Sequence, residues 1–368
     1  MKVIDQKMQE GIEKGVYPGA ALWVGLEGRP VHEGYYGWGC LTPETIRLQK
    51  TMAFDWASLT KPLATTCIVM SLMDRQEISL DRKIKDWFSE KGTKFHGEIT
   101  LQHLLEHSSG LPAWRPYFEA FRKEGEKKDR EALKRELLGW ILKEPLLHRP
   151  GTSRIYSDLG FILLQIILEQ ETSRSLDQLF QERVVVPLDL KEVGYQKIRS
   201  PFLGKDSPLQ ERLQQFVATE YCPWRQRLLC GEVHDDHAAF LGGVAGHAGL
   251  FGTLGGAISL IEAIRHAYQG DDRWISPSLV RDFLGPQRPW ALGWDRPEEN
   301  CSQAGQYFSR NSIGHLGFTG CSVWVDWEKD WQVILLTNRI HPTRDNDQIK
   351  GFRPKLHDAI YEIITKKN

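Results

Sequence analysis

The sequence predicts an α+β protein in which the two ends of the chain jointly build a sheet domain and a long helical middle is inserted between them. Two observations carry this. Residues 2–38 read as a helix followed by a β-hairpin, and the last 65 or so residues return to strands and a closing helix. Between them, residues 76–300 read as mostly helical and loop-rich. The expected division is therefore 1–75 plus 302–368 for the sheet domain and 76–301 for the insertion.

In chain order, Val3, Ile4, Met8 and Ile12 space an amphipathic helix over 2–15, which Pro18-Gly19 breaks. Ala20 to Leu26 reads as a buried strand, and Glu27-Gly28-Arg29-Pro30 turns it into the partner Val31–Trp38. Pro62 suits a first helical turn, and Leu63, Ile68, Val69, Leu72 and Met73 then recur with helical spacing to about Arg75. Thr100 can cap a helix over Leu101–His107, which Ser108-Ser109-Gly110 and Pro112 stop. The charged run over 122–136 reads as a solvated face or loop. Pro150-Gly151-Thr152 is a turn, and Leu159–Leu168 a strongly apolar helix. Gly320–Trp327 and Trp331–Thr337 read as strands around the turn Glu328-Lys329-Asp330, and Pro354–Ile364 as the closing helix.

Composition excludes several classes of function. The 368 residues are 41% hydrophobic and 26% charged, ordinary for a soluble globular chain. A net charge of −1 gives no electrostatic case for nucleic acid or an anionic membrane. No stretch reaches 18 apolar residues, so no membrane span is expected. Cys40, Cys67, Cys222, Cys230, Cys301 and Cys321 are scattered and read as reduced thiols. With no apolar run of signal-peptide length at the start, the expected compartment is the cytoplasm.

The chemistry centres on Phe54-Asp-Trp-Ala-Ser-Leu-Thr-Lys-Pro62. Ser58 and Lys61 are three residues apart and would share a helix face. At a helix N-terminus the free N–H groups favour developing negative charge at Ser58. The same field, with partial burial, is expected to lower the pKa of Lys61 and make it a neutral base. Taken alone, the pair also fits a surface Ser and Lys on an amphipathic helix.

Two further stretches stand out. In Tyr156-Ser157-Asp158, Tyr156 can project into a cleft and relay protons beside a cationic Lys, or be a half-buried aromatic. Asp158 directly precedes the apolar helix and is expected to be its N-cap. In Gly314-His-Leu-Gly-Phe-Thr-Gly320 the glycines, Gly317 among them, let a substrate backbone approach a strand edge. A free edge N–H together with that of Ser58 would form an oxyanion hole.

Ser-x-x-Lys, then Tyr-Ser-Asp, then His-x-Gly: this order resembles the serine β-lactamase and penicillin-binding-protein superfamily, in its class C-like branch. Ile99-Thr-Leu-Gln-His-Leu-Leu-Glu-His-Ser-Ser-Gly-Leu111 is similar to a stretch typical of that branch. The resemblance covers nearly the whole chain. It implies an antiparallel sheet flanked by helices, an all-helical second domain, and a site between them. It implies Ser58 as acylated nucleophile, Lys61 as its activator, Tyr156 sharing the proton transfers, and the N–H groups of Ser58 and Phe318 as the oxyanion hole.

Two positions depart from the family pattern. Asp158 stands where an Asn is usual, and an ionised Asp only accepts hydrogen bonds. His315 stands where Lys is usual, and a mostly neutral imidazole holds a carboxylate less well. Both argue against an efficient β-lactamase. Arg339 could bind a substrate carboxylate in place of the missing Lys, or form a structural ion pair.

The stretch Gly231–Phe251 resembles a segment of class C-like amidases and carboxypeptidases that act on peptidoglycan fragments. Its His234, Asp235, Asp236, His237 and His247 lack helical i,i+4 His spacing, and a Ser-Lys mechanism needs no metal. No metal or other cofactor is expected, and His247 is expected to face the cleft. The resemblance thus implies a serine hydrolase forming a Ser58 acyl-enzyme on a small peptide or amide derived from peptidoglycan. A carboxylic ester, or slow β-lactam turnover, is the alternative activity. A catalytically silent sensor of cell-wall fragments is the alternative outside enzymes.

Overall fold

The computed structural model describes residues 2–88, 96–124, 128–288, 290–299 and 302–365. Cys301 and residues 125–127 of the charged run lie outside them. The strands are β1 (Gly19–Leu26), β2 (Arg29–Cys40), β3 (Ile46–Arg47), β4 (Phe54–Asp55), β5 (Val193–Tyr195), β6 (Ala218–Cys222), β7 (Arg227–Cys230), β8 (Leu250–Gly252), β9 (Ile313–Leu316), β10 (Ser322–Asp326) and β11 (Trp331–Thr337).

Six of them form the main sheet in the order β3-β2-β1-β11-β10-β9. Every pairing is antiparallel, and β1 joins the two ends of the chain by pairing with β11, Val24 opposite Val333. Period-2 alternation sends Leu22, Val24, Val333 and Leu335 to one face, where they meet Ile4, Met8, Leu356 and Ile360 of the helices Lys2–Glu13 and Ile349–Thr365. Ala21, Trp23, Ile334 and Leu336 go to the other face. There the helix Leu254–Gln269 lies against the sheet with Leu260, Ile261 and Ile264. Each such aliphatic side chain, fully buried, contributes roughly 1.5–3 kcal/mol, so the two-sided sheet is the main cohesive element of this part of the chain.

The middle stretch is not only helical. β4, β8 and β5 form a second sheet, and β6 and β7 a hairpin. These strands are only two to five residues long, too short to show a period against a helical background. The second sheet matters because β4 leads directly into Ser58 and β8 follows His247. The helix expected after Ser58 begins as a 3₁₀ turn over Ala57–Leu59, passes through a π-helical turn over Lys61–Thr66, and becomes regular only over Cys67–Asp74. Thr100 caps Leu101–Leu105 as expected. No helix among the described residues is long and apolar enough to cross a membrane.

Under the closing helix, His357 is buried with Nδ1 3.1 Å from the Ala304 carbonyl, and burial with the Arg353 charge beside it pushes the imidazole down to about 3. Burial likewise holds His107 well below the ordinary imidazole value. Such groups bind protons in the unfolded chain but not in the folded one. Their contribution to stability is therefore present above about pH 6.5 and lost as pH falls towards the folded value. Denaturant unfolding should show stability falling between pH 7 and pH 5. His357→Gln should remove roughly 2 kcal/mol of that loss, and an unchanged pH dependence in the variant would contradict the assignment.

Candidate active site

The segment carrying Ser58 is tied down before the chemistry begins. Asp55, fully enclosed, accepts from the Ala57 N–H and the His234 N–H, both at 2.8 Å. Ala57 takes a left-handed conformation, φ 47°, which costs about 1–3 kcal/mol in a non-glycine residue and persists because these bonds fix it. Thr60 Oγ1 donates to the Ala57 carbonyl at 2.6 Å and accepts from the Leu250 N–H at 3.1 Å. Ser58 is thereby presented on a tight turn rather than along a helix face.

Lys61 is buried beneath it. Its Nζ lies 3.0 Å from Ser58 Oγ, 2.6 Å from Tyr156 Oη, 2.7 Å from Asp158 Oδ1 and 3.4 Å from the His247 carbonyl. The expected lowering of its pKa does not occur. Burial disfavours the charge, but the Asp158 carboxylate and the Tyr156 hydroxyl outweigh it and raise the ammonium above the ordinary lysine value. Tyr156 opens its ring to the cleft while its hydroxyl is enclosed, and burial, against the pull of the Lys61 charge, pushes the phenol up to about 12.

Asp158 is not the N-cap. Ser157 caps the helix Asp158–Thr172, its Oγ accepting from the Gly160 N–H at 3.2 Å. Because the capping falls one residue earlier, the Asp158 carboxylate is free to turn towards Lys61. His107 Nδ1 accepts from the Ser157 N–H at 3.0 Å, and its ring lies 4.6 Å from that of Tyr156. The sequence reading missed His107 as a site residue, although it lies within the Ile99–Leu111 stretch.

His315, Gly317 and Phe318 form the facing edge. His315 is buried, with Nδ1 2.9 Å from the Leu316 carbonyl. Burial and the Lys61 charge, opposed by Asp295, push it down to about 4, so the ring is neutral near pH 7. Gly317 is required by close approach, since a Cβ there would lie 2.5 Å from the Trp56 carbonyl oxygen. Among the described residues the Phe318 N–H carries no hydrogen bond. The Phe318 ring is stacked 5.4 Å from that of His234 and 4.7 Å from the Arg339 guanidinium.

Arg339 Nε donates to the Phe318 carbonyl at 2.9 Å, and Arg353 Nη2 to the Gly320 carbonyl at 3.0 Å. The two arginines grip the loop from behind, and Arg353 had no local signal in the sequence. Arg339 makes no salt bridge among the described residues. Ser58, Tyr156, Asp158, His315, Gly317, Phe318 and Arg339 line one cleft of about 910 Å³. His247 does not line it: its buried ring is turned to Asp235, Nε2 to Oδ1 2.8 Å, and only its carbonyl reaches Lys61.

Residues 4–353 match the Beta-lactamase family. The chain belongs to that family. It is a β-lactamase-like serine hydrolase in the class of penicillin-binding-protein relatives. It is 29% identical over 364 residues, covering 93% of this chain and 81% of the relative, to an N-acetylmuramyl-L-alanine amidase of Bacillus subtilis (strain 168). It is 27% identical over 369 residues, covering 92% and 82%, to a protein of Escherichia coli O157:H7 named as a D-alanyl-D-alanine carboxypeptidase. In fold it is similar to EstCE1, a hydrolase with promiscuous acyltransferase activity, with a TM-score of 0.71, 19% identity and coverage of 96% and 98%.

Two substitutions probe this geometry. Asp158→Asn removes the charge that holds Lys61 protonated, so the alkaline limb of the kcat/KM profile should move down by roughly 1–3 pH units. Movement of the acid limb instead would show that Lys61 acts uncharged. Gly317→Ala should lower kcat on the order of a hundredfold by displacing the loop against Trp56, and full activity would show that the contact with Trp56 relaxes at no cost.

Proposed function

We propose that Ser58 is the nucleophile of a hydrolase acting on soluble peptides or amides derived from peptidoglycan. The observation that carries the mechanism is Lys61 Nζ bridging Ser58 Oγ and Tyr156 Oη at the floor of the cleft. Held as an ammonium by Asp158, Lys61 polarises both oxygens without itself serving as the base. Ser58 Oγ attacks the carbonyl carbon while its proton passes to Tyr156 Oη and the phenol's own proton passes on to the departing nitrogen, so that Tyr156 stays neutral throughout, and the N–H groups of Ser58 and Phe318 receive the oxyanion. Water then cleaves the acyl-enzyme by the reverse relay, its proton passing through Tyr156 back to Ser58 Oγ.

The substrate class is supported by the two curated relatives, an amidase and a carboxypeptidase by name, whose lengths this chain largely spans. A cleft of about 910 Å³ suits a soluble fragment rather than a polymer face. The five cysteines among the described residues are buried free thiols, which supports a reducing, cytoplasmic setting and a role in recycling wall fragments. One observation favours a second reading. A neutral His315 leaves no cation where the family has Lys, which suits an uncharged acyl group such as a carboxylic ester.

Ser58→Ala should lower kcat by a factor on the order of 10³ or more and abolish the covalent adduct seen by mass spectrometry. Wild-type enzyme should release D-alanine from soluble muropeptides, or separate sugar from peptide. Unchanged muropeptides beside rapid cleavage of short p-nitrophenyl esters would decide for the esterase.

A further inference from the structure

The stretch Gly231–Phe251 splits into two unlike clusters. His234 belongs to a satisfied network, with Nε2 2.8 Å from Glu220, which also binds Arg344. Asp236 is paired with Arg225 at 2.7 Å and accepts from Trp224. Neither has capacity to spare.

Asp235, His237 and His247 differ. One ligand-type atom from each lies within 4.8 Å of the others. Both rings are about 99% buried. His237 Nε2 has no hydrogen-bond partner, and nor does His247 Nδ1, among the described residues. His237 is flanked by Trp114, Phe118 and Tyr117, with ring centroids at 5.9, 5.8 and 6.2 Å, which constrain its orientation. The only strong link inside the cluster is the shared proton between His247 Nε2 and Asp235 Oδ1 at 2.8 Å.

We propose that Asp235, His237 and His247 form a binding site for a first-row divalent cation of the zinc class, set in the wall of the cleft. The donor set is two imidazoles and one carboxylate, the N/O chemistry that zinc accepts. In a tetrahedral site with bonds near 2.0–2.1 Å the ligand atoms stand about 3.4 Å apart. The existing triangle, its atoms within 4.8 Å of one another, closes inward to reach that spacing when the ion binds. The cation takes the place of the proton between His247 Nε2 and Asp235, and that proton moves to the unpartnered His247 Nδ1. Asp235 faces the cleft, so the fourth position is open to water or to an oxygen of a bound molecule. The ion also braces the loop whose His247 carbonyl lies against Lys61, linking occupancy to the site without entering the bond-making steps.

The test uses the full-length protein stripped with chelator and titrated with zinc in a calorimeter. One equivalent should bind at micromolar or tighter affinity. Cobalt in place of zinc should give the strong visible absorption of a four-coordinate ion. His237→Ala and the shape-preserving His237→Gln should each weaken binding on the order of a hundredfold, while His266→Ala on the exposed face of Leu254–Gln269 leaves it unchanged. Absence of stoichiometric binding in the wild type overturns the proposal. So does zinc affinity in a folded His237 variant equal to wild type, or a cobalt spectrum of the hexa-aquo kind.

Discussion

Lys61 carries its charge where no solvent reaches it, and a buried ammonium is tolerated only when fixed partners compensate for lost hydration. Four oxygens do so: those of Ser58, Tyr156, Asp158 and the His247 carbonyl. They come from three stretches, 58–61, 156–158 and 247, so one charge dictates where three pieces of chain must meet. The Asp at 158, where the family pattern has Asn, puts a carboxylate 2.7 Å from that ammonium. In the mechanism proposed above the part left to Lys61 is electrostatic, and Tyr156 passes a proton on without gaining charge.

Around that charge the backbone is held by side chains that touch no reacting atom. Asp55 fixes the strained Ala57 turn and, through the His234 N–H, the start of the 234–247 stretch. Arg339 and Arg353 hold the carbonyls of Phe318 and Gly320, and among the described residues the Phe318 N–H is left without a partner. The close approach of Gly317 to Trp56 then joins the nucleophile turn to the sheet edge with almost no room for adjustment.

Much of this was legible in the sequence because it is local. The apolar runs Ala20–Leu26 and Trp331–Thr337 read as strands and pair as β1 and β11, and the spacing of Ser58 and Lys61, the Tyr156–Asp158 triplet and the Gly314–Gly320 run pointed to residues that the structure brings together at one cleft. The misreadings share one cause. The state of Lys61, the cap at Ser157, the orientation of His247 and the grip of Arg353 depend on partners 95, 45, 12 and 33 residues away. Periodicity cannot see such contacts. The short strands β4, β5 and β8 escaped for a related reason, since two or three residues carry no period and their existence rests on pairing alone.

The grip of Arg353 on the Gly320 carbonyl has a temporal meaning. A ribosome delivers Ser58, Lys61 and Tyr156 long before the helix Ile349–Thr365 emerges, and β1 waits equally long for β11. The nascent chain therefore carries Ser58 through most of synthesis without the loop that faces it in the folded cleft. Contacts this distant in sequence also form slowly. The turn that carries Ser58 thus faces its completed sheet edge only after the closing helix has been made and docked.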